Sequence, residues 1–240
     1  MKKGWVVFVL LFLSQITFAQ KEWFSAFTDS TALVKQANQI SSTFIKDIAQ
    51  IKPTLVLTLK TRLNTTPYLI YYDDDDGKQK TANLPLWEQV IPEQKAFFYE
   101  VAGGEVEGKE VFGLFFNGFY LPHELGHALE QMIEGNVFGS YESEYFANVV
   151  AMLWWKKQGK QKELEQCYNY AKKIWAKLPN PVPEGMTIQA YFKANYQQAS
   201  QNPYTYGYMQ FKQFILVYED KNLPNFEVFV KNYLASKGKL

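Results

Sequence analysis

The stretch FYLPHELGHALEQM, Phe119 to Met132, sets His123 and His127 four residues apart with Glu124 beside the first. On a helix, positions i and i+4 share one face about a turn apart, where two imidazoles reach a single tetrahedral zinc. The neighbouring Glu124 carboxylate then lies over the metal's open position, placed to take a proton from water. Pro122 suits the first turn of such a helix, and Gly126 leaves room for another backbone or a substrate to come close. The chain has only two histidines, so their meeting at this spacing by accident has a chance of roughly one in a hundred, before the Glu is counted.

Counting histidines also excludes a third imidazole. The remaining ligand must be a carboxylate, Cys167 or a backbone group, and a closed Cys-rich structural cage is out of reach with one Cys. The segment YESEYFANVVAM offers Glu142 and Glu144, which are two residues apart and face opposite sides of a helix. Glu144, Ala147, Asn148 and Ala151 form one stripe, in which the alanines permit a close helix approach. Asn148 lies one turn on, where its amide oxygen can take the ring N–H of a ligating histidine and fix its tautomer. The stripe from Glu142 carries Tyr145, Phe146 and Val149, which is packing material without an acceptor. Periodicity thus favours Glu144, with Glu142 the alternative.

HELGH, His123 to His127, followed by EYFAN, Glu144 to Asn148, resembles the gluzincin-type zinc metallopeptidases, whose His-Glu-x-x-His helix precedes a second helix with Glu-x-x-x-Asp or Glu-x-x-x-Asn. The resemblance covers about 26 residues. It implies zinc on His123, His127 and Glu144, catalysis by Glu124, and orientation of a histidine by Asn148. A neutral Asn, where many relatives carry Asp, raises the basicity of its histidine less.

Zinc held by two imidazoles and a carboxylate lowers the pKa of water toward about 7 and polarises a carbonyl. Glu124 would take the proton and pass it to the departing amine, so hydrolysis of a peptide or protein substrate is the expected reaction. In several related enzymes a His or Tyr of the C-terminal half donates to the oxyanion. No His remains, and NPYTYGYMQF offers Tyr204, Tyr206 and Tyr208, of which Tyr206 is taken as the candidate. The alternative function is a catalytically silent relative that binds peptides or a partner protein.

These residues need elements to hold them. DSTALVKQANQISSTFIKDIAQ, with a capping Asp29 and apolar residues at helical spacing, predicts a helix from Asp29 to about Gln50. TLVLTLKT and PYLIYY predict strands of a small sheet, and DDDDGK a turn after them. In LPLWEQVIPEQKAFFYEVAGG a helix is expected with a break at Pro92 and a loop at Gly103–Gly104. VFGLFFNGF reads as a strand after a turn at Glu107–Gly108, an edge along which substrate would pair. From there helices are expected at Pro122 to Glu134, Tyr141 to Lys157, Lys162 to Lys177, Thr187 to Gln198, Tyr206 to Glu219 and Phe226 to Ser236, with LPNPVPEG a connector. Strands before helices predict an α+β fold, a small N-terminal β-sheet with a helical C-terminal half. Asp73 to Asp76 before Gly77 fails the register of a calcium loop, since Tyr72 stands where the first ligand belongs. KKQGKQKELEQ is an exposed helix junction.

MKKGWVVFVLLFLSQITFA combines a Lys2–Lys3 head, an apolar run from Trp5 to Leu13 and a small Ala19, the pattern of a signal peptide over residues 1–19. The run is too short to span a membrane comfortably, so a secreted or periplasmic single domain over 20–240 is expected, without stable membrane insertion. Lys2 and Lys3 taken from 25 basic residues leave 23 against 24 acidic ones, a balance that does not suggest nucleic acid as a partner. With Cys167 as the sole cysteine there is no internal disulfide, and the core must hold the fold together.

Overall fold

The computed structural model describes residues 24–66, 69–73, 80–135 and 139–240. The expected signal peptide, and all of the expected Asp-rich turn except Asp73, lie outside the described residues. Asp29 caps α1 (Ser30–Ile51) by accepting from the Ala32 N–H at 2.6 Å. Leu33, Ala37, Ile40, Phe44 and Ile48 turn inward at the spacing the sequence shows.

The sheet follows, as expected, with strands shorter than the apolar runs suggest. β1 (Lys60–Leu63), β2 (Tyr71–Asp73) and β3 (Thr81–Leu84) lie in the order β1-β3-β2. β1 runs parallel to β3 with Lys60 opposite Thr81, and β2 runs antiparallel with Tyr72 opposite Ala82. Most of TLVLTLKT is loop, and Leu57, buried within it, serves the core without pairing. β3 takes the first residue of LPLWEQV, a 3-10 turn covers Trp87–Gln89, and α2 (Pro92–Ala102) starts on the proline expected to break the segment. Pro at a first helical position forfeits an N–H that has no partner there in any case.

VFGLFFNGF is not a strand, and no turn precedes it. α3 (Glu105–Leu114) runs through Glu107 and Gly108, a π-helical turn spans Phe115–Phe119, and α4 (Tyr120–Glu134) continues directly into the motif. The substrate-pairing role expected of that strand falls with it. Apolar run alone does not separate a buried strand from a buried helix; length does. Here Val111, Phe112, Leu114, Phe115 and Phe119 are buried on all sides of one long helical path. Gly108 serves close packing, since a Cβ there would sit 2.7 Å from the Tyr99 ring and 3.0 Å from the Phe98 backbone. Pro122 is the third residue of α4, not a free helix start. It cannot bond the Gly118 carbonyl and its ring needs space there. The wider turn just before it, where the Tyr120 N–H reaches the Phe115 carbonyl, provides that space.

The remaining helices follow the expected order: α5 (Tyr141–Lys157), α6 (Gln161–Lys177), α7 (Ile188–Ala199), α8 (Pro203–Glu219) and α9 (Phe226–Ser236). α8 begins three residues before the expected Tyr206 because Asn202 caps the N–H groups of Tyr204 and Thr205 and Pro203 fills the first position. The whole is an α+β fold with a small three-stranded sheet and a helical C-terminal half. One contiguous apolar core runs from Phe27 to Leu234, and a small satellite of Tyr141, Phe192, Ala199 and Met209 stands apart from it. Among the described residues no helix is long and apolar enough to cross a membrane.

α4 and α5 are the most closely packed pair of elements. A Cβ on Gly126 would lie 3.0 Å from Ala147 Cα and 3.3 Å from Val150 Cβ, so the two helices meet at backbone distance. Gly126→Ala therefore forces α4 and α5 apart and costs about 1–3 kcal/mol, more than the roughly 1 kcal/mol that Ala gains in a helix. On α8, a Cβ at Gly207 would meet only Leu178 Cδ1 at 3.6 Å, and Gly207→Ala keeps the helix gain of up to about 1 kcal/mol. Urea unfolding of the two variants should move in opposite directions.

Candidate metal centre

His123 and His127 sit on the face of α4 turned to α5, and Glu144, in the first turn of α5, points back between them. His123 Nε2 lies 3.1 Å from His127 Nε2 and 3.1 Å from Glu144 Oε2, and His127 Nε2 lies 3.5 Å from the same oxygen. Among the described residues these three form the His, Cys, Asp or Glu grouping whose ligand atoms converge enough to hold a metal ion. Glu142 faces outward on α5 and approaches Lys193 at 3.9 Å, and Cys167 is buried on α6, outside that grouping.

The far side of each histidine is tied down. His123 Nδ1 is 3.2 Å from Asn148 Oδ1. The Asn148 amide gives its hydrogens to Gln210 Oε1 at 3.1 Å and Gln213 Oε1 at 2.9 Å, so its oxygen must face the imidazole and accept from Nδ1–H. Gln213 in turn donates to the Tyr141 carbonyl at 2.9 Å. His127 Nδ1 is 3.2 Å from Ser143 Oγ, whose hydrogen goes to Glu130. Ser143 therefore accepts from His127 Nδ1–H. Both imidazoles are left with bare Nε2 lone pairs turned toward a carboxylate oxygen.

That arrangement is unfavourable without a cation at its centre. Three electron-pair donors within 3.5 Å repel one another in a region where water is scarce, since His123, His127 and Glu144 are 2%, 6% and 5% exposed. A divalent ion or a proton among them relieves that repulsion. Burial alone would pull His127 down, but Glu144, Glu124 and Glu130 outweigh it and raise the imidazole to about 9. Burial likewise pushes Glu144 up, and the two imidazoles override it and hold the carboxyl well below the usual range. Two nitrogens and one oxygen, neutral and anionic, are a donor set suited to zinc with a further position open. The residues present thus fit a bound metal ion.

Glu124 lies on the face of α4 that looks toward β2. Its carboxylate accepts from the Tyr72 backbone, and two turns further along the same face Gln131 accepts from the Tyr72 hydroxyl. Burial raises the Glu124 pKa, while the nearby imidazoles of His123 and His127 and the Tyr72 bond act the other way. On the opposite side stand two tyrosines. Gln210 donates to Glu144 Oε2 at 2.6 Å and to the Tyr206 hydroxyl at 2.8 Å, Tyr206 bonds Tyr196, and Tyr196 donates to Glu144 Oε1 at 2.6 Å. Tyr204 packs instead on Phe97 and is half exposed, and Tyr208 packs on Trp175. On a helix Tyr204 and Tyr208 share a side and Tyr206 faces away from both.

Of the residues named from sequence, His123, His127 and Glu144 converge on one point, Asn148 stands behind His123, Tyr206 connects to Glu144 through Gln210 and Tyr196, and Glu124 is buried nearby. Not named from sequence were Ser143, Glu130, Gln210, Gln213, Tyr196 and Tyr72. Gln210 and Gln213 did carry a signal, as amides three apart amid the apolar residues of MQFKQFIL, where a polar side chain must find a partner. Glu130 stands one turn after His127. Tyr196 and Tyr72 had none, since only chain folding brings their elements here.

Removing an outer partner leaves the metal ligand free to turn. Asn148→Ala, which strands His123 Nδ1–H and two glutamine carbonyls, should weaken binding of a divalent metal ion about 10- to 100-fold in competition with a chromophoric chelator. Ser143→Ala should do the same through His127, whereas Glu142→Ala should leave the affinity unchanged. Compared with protein-family models, with curated proteins and with solved structures, the chain matches none.

Proposed function

We propose that the chain is an exported zinc-dependent peptidase of the gluzincin type, with His123, His127 and Glu144 as metal ligands and Glu124 as general base. The observation that carries this reading is the inward-facing His-His-Glu set with both outer ring nitrogens tied and a buried carboxylate beside it. A structural zinc has no use for a neighbouring base. Bound zinc would supply a Lewis acid for the substrate carbonyl and a lowered pKa for water.

The residues of the chain do the rest. Glu124, held by the Tyr72 N–H, takes the proton of the attacking water and delivers it to the amine that leaves. Asn148 and the Ser143–Glu130 pair hold both Nδ1–H groups outward and so leave each Nε2 aimed inward. Tyr206, whose oxygen accepts from Gln210, gives its proton to Tyr196 here and would turn it to the substrate oxygen as negative charge develops there. Burial, then the nearby Glu144 and Tyr196, push the Tyr206 phenol well above its ordinary pKa, so it stays a donor. The Lys2–Lys3 head and apolar run ending at Ala19 support secretion or periplasmic delivery.

One observation favours the second reading, a silent domain that binds peptides or a partner. Glu124, at 7% exposed, is as enclosed as the ligands, and a peptide does not reach it without movement.

Purified protein should hold one zinc per chain, and His123→Ala should lose it. Glu124→Gln should keep the zinc and lower cleavage of a denatured protein mixture by about 10²- to 10⁴-fold. Stoichiometric zinc with no cleavage by wild type would establish the silent reading. Tyr206→Phe at unchanged turnover would remove Tyr206 as the oxyanion donor.

A further inference from the structure

We propose that α7 is a hinged cover over the metal-binding cluster, latched shut by the hydrogen bond from Tyr196 to Glu144. The proposal rests on the reading of His123, His127 and Glu144 as a metal site, and it supplies the movement that a peptidase reading of the same site requires.

α7 is the least anchored helix of the fold. Two of its twelve residues, Phe192 and Ala199, are buried, the lowest proportion of any described α-helix. Both belong to the satellite cluster with Tyr141 and Met209, and of α7 only Ile188, at its first position, also packs against the main core. The helix packs chiefly on α5 and α8. On one side it is reached through the connector Leu178–Thr187, which contains Pro179, Pro181 and Pro183, and Gly185 with φ of +79°. On the other a short turn at Ser200–Asn202 leads into α8. Such a segment opens as a local unit at far lower cost than α4 or α5, each of which is buried along most of its length.

The contact that ties α7 to the metal-binding cluster itself is polar. Tyr196 donates to Glu144 Oε1 at 2.6 Å, using the carboxylate oxygen that the histidines do not share. The Tyr196 hydroxyl oxygen is itself bonded by Tyr206 of α8, so three elements meet at one chain of hydroxyls. The Lys193–Glu142 pair also links α7 to α5, but at 3.9 Å with side chains 72% and 48% exposed it contributes little. A hydrogen bond to a charged acceptor is the strong kind, and losing it frees the cover by a factor of about ten or more.

The test uses zinc itself and amide exchange, without any peptide substrate. In zinc-loaded protein, Tyr196→Phe should raise amide hydrogen exchange across residues 188–199 about tenfold and speed zinc release to a chelator by a similar factor, with α5 exchange unchanged. Phe192→Ala keeps the Tyr196 hydroxyl and removes the apolar anchor, and it should raise both rates together. Lys193→Ala should alter neither. The proposal is overturned if Tyr196→Phe leaves α7 exchange unchanged. It is equally overturned if Phe192→Ala frees α7 without speeding zinc release, since Tyr196 would then act on the carboxylate and not as a latch. A wild type that cleaves nothing refutes the peptidase reading alone, and the cover stands or falls on these two rates.

Discussion

Three electron-pair donors, two imidazole nitrogens and a carboxylate oxygen, are pressed to within 3.5 Å of one another in a dry interior, and only a positive charge among them relieves the repulsion. Much of the surrounding structure exists to keep them there. The outer nitrogens could rotate inward and let the rings bond the carboxylate as ordinary donors, but Asn148 and Ser143 hold both N–H groups outward. Those two residues are fixed in turn, Asn148 by a pair of glutamines and Ser143 by Glu130. The polar network is closed at each step, which is the condition under which buried polar groups specify an arrangement instead of weakening it.

The apolar architecture serves the same end. α4 and α5 carry all three inward donors, and they approach to backbone distance where Gly126 faces Ala147. α8 has two working faces. Phe211 and Phe214 pack against Phe115 and Phe119 of the π-helical turn, with Phe119 and Phe214 rings 4.7 Å apart, while Gln210 and Gln213 reach the site from the other side. Burying each such ring contributes about 1.5–3 kcal/mol, enough to hold the amides in register with Asn148. The π turn also admits Pro122 into the helix one residue before His123, so the irregular backbone and the motif are parts of one path.

Rigidity is unevenly distributed around the cluster. α4 and α5 are locked into the main core, whereas α7 rests mainly on a satellite and a hydroxyl and meets the main core only at Ile188. The His123, His127 and Glu144 donors therefore stand on the two most deeply buried helices, beside the one helix with the smallest buried share among the described residues.

The sequence by itself determined the parts whose signal is local. Four-residue spacing put His123 and His127 on one helical face, the count of histidines sent the third position to a carboxylate, and the Glu144-Ala147-Asn148 stripe named the one that points inward. Helices from Tyr141 onward were legible to within a residue except at the start of α8, which its Asn202 cap and Pro203 set and apolar spacing does not. VFGLFFNGF was misread, because an aromatic run buried on every side has no face and so no period to distinguish helix from strand. Tertiary structure decided what no spacing encodes: that β2 backs Glu124, that α8 turns its glutamines to Asn148, and that Tyr196 closes over Glu144. These contacts join elements some 50 to 65 residues apart, and only the packing of the common core sets which faces meet.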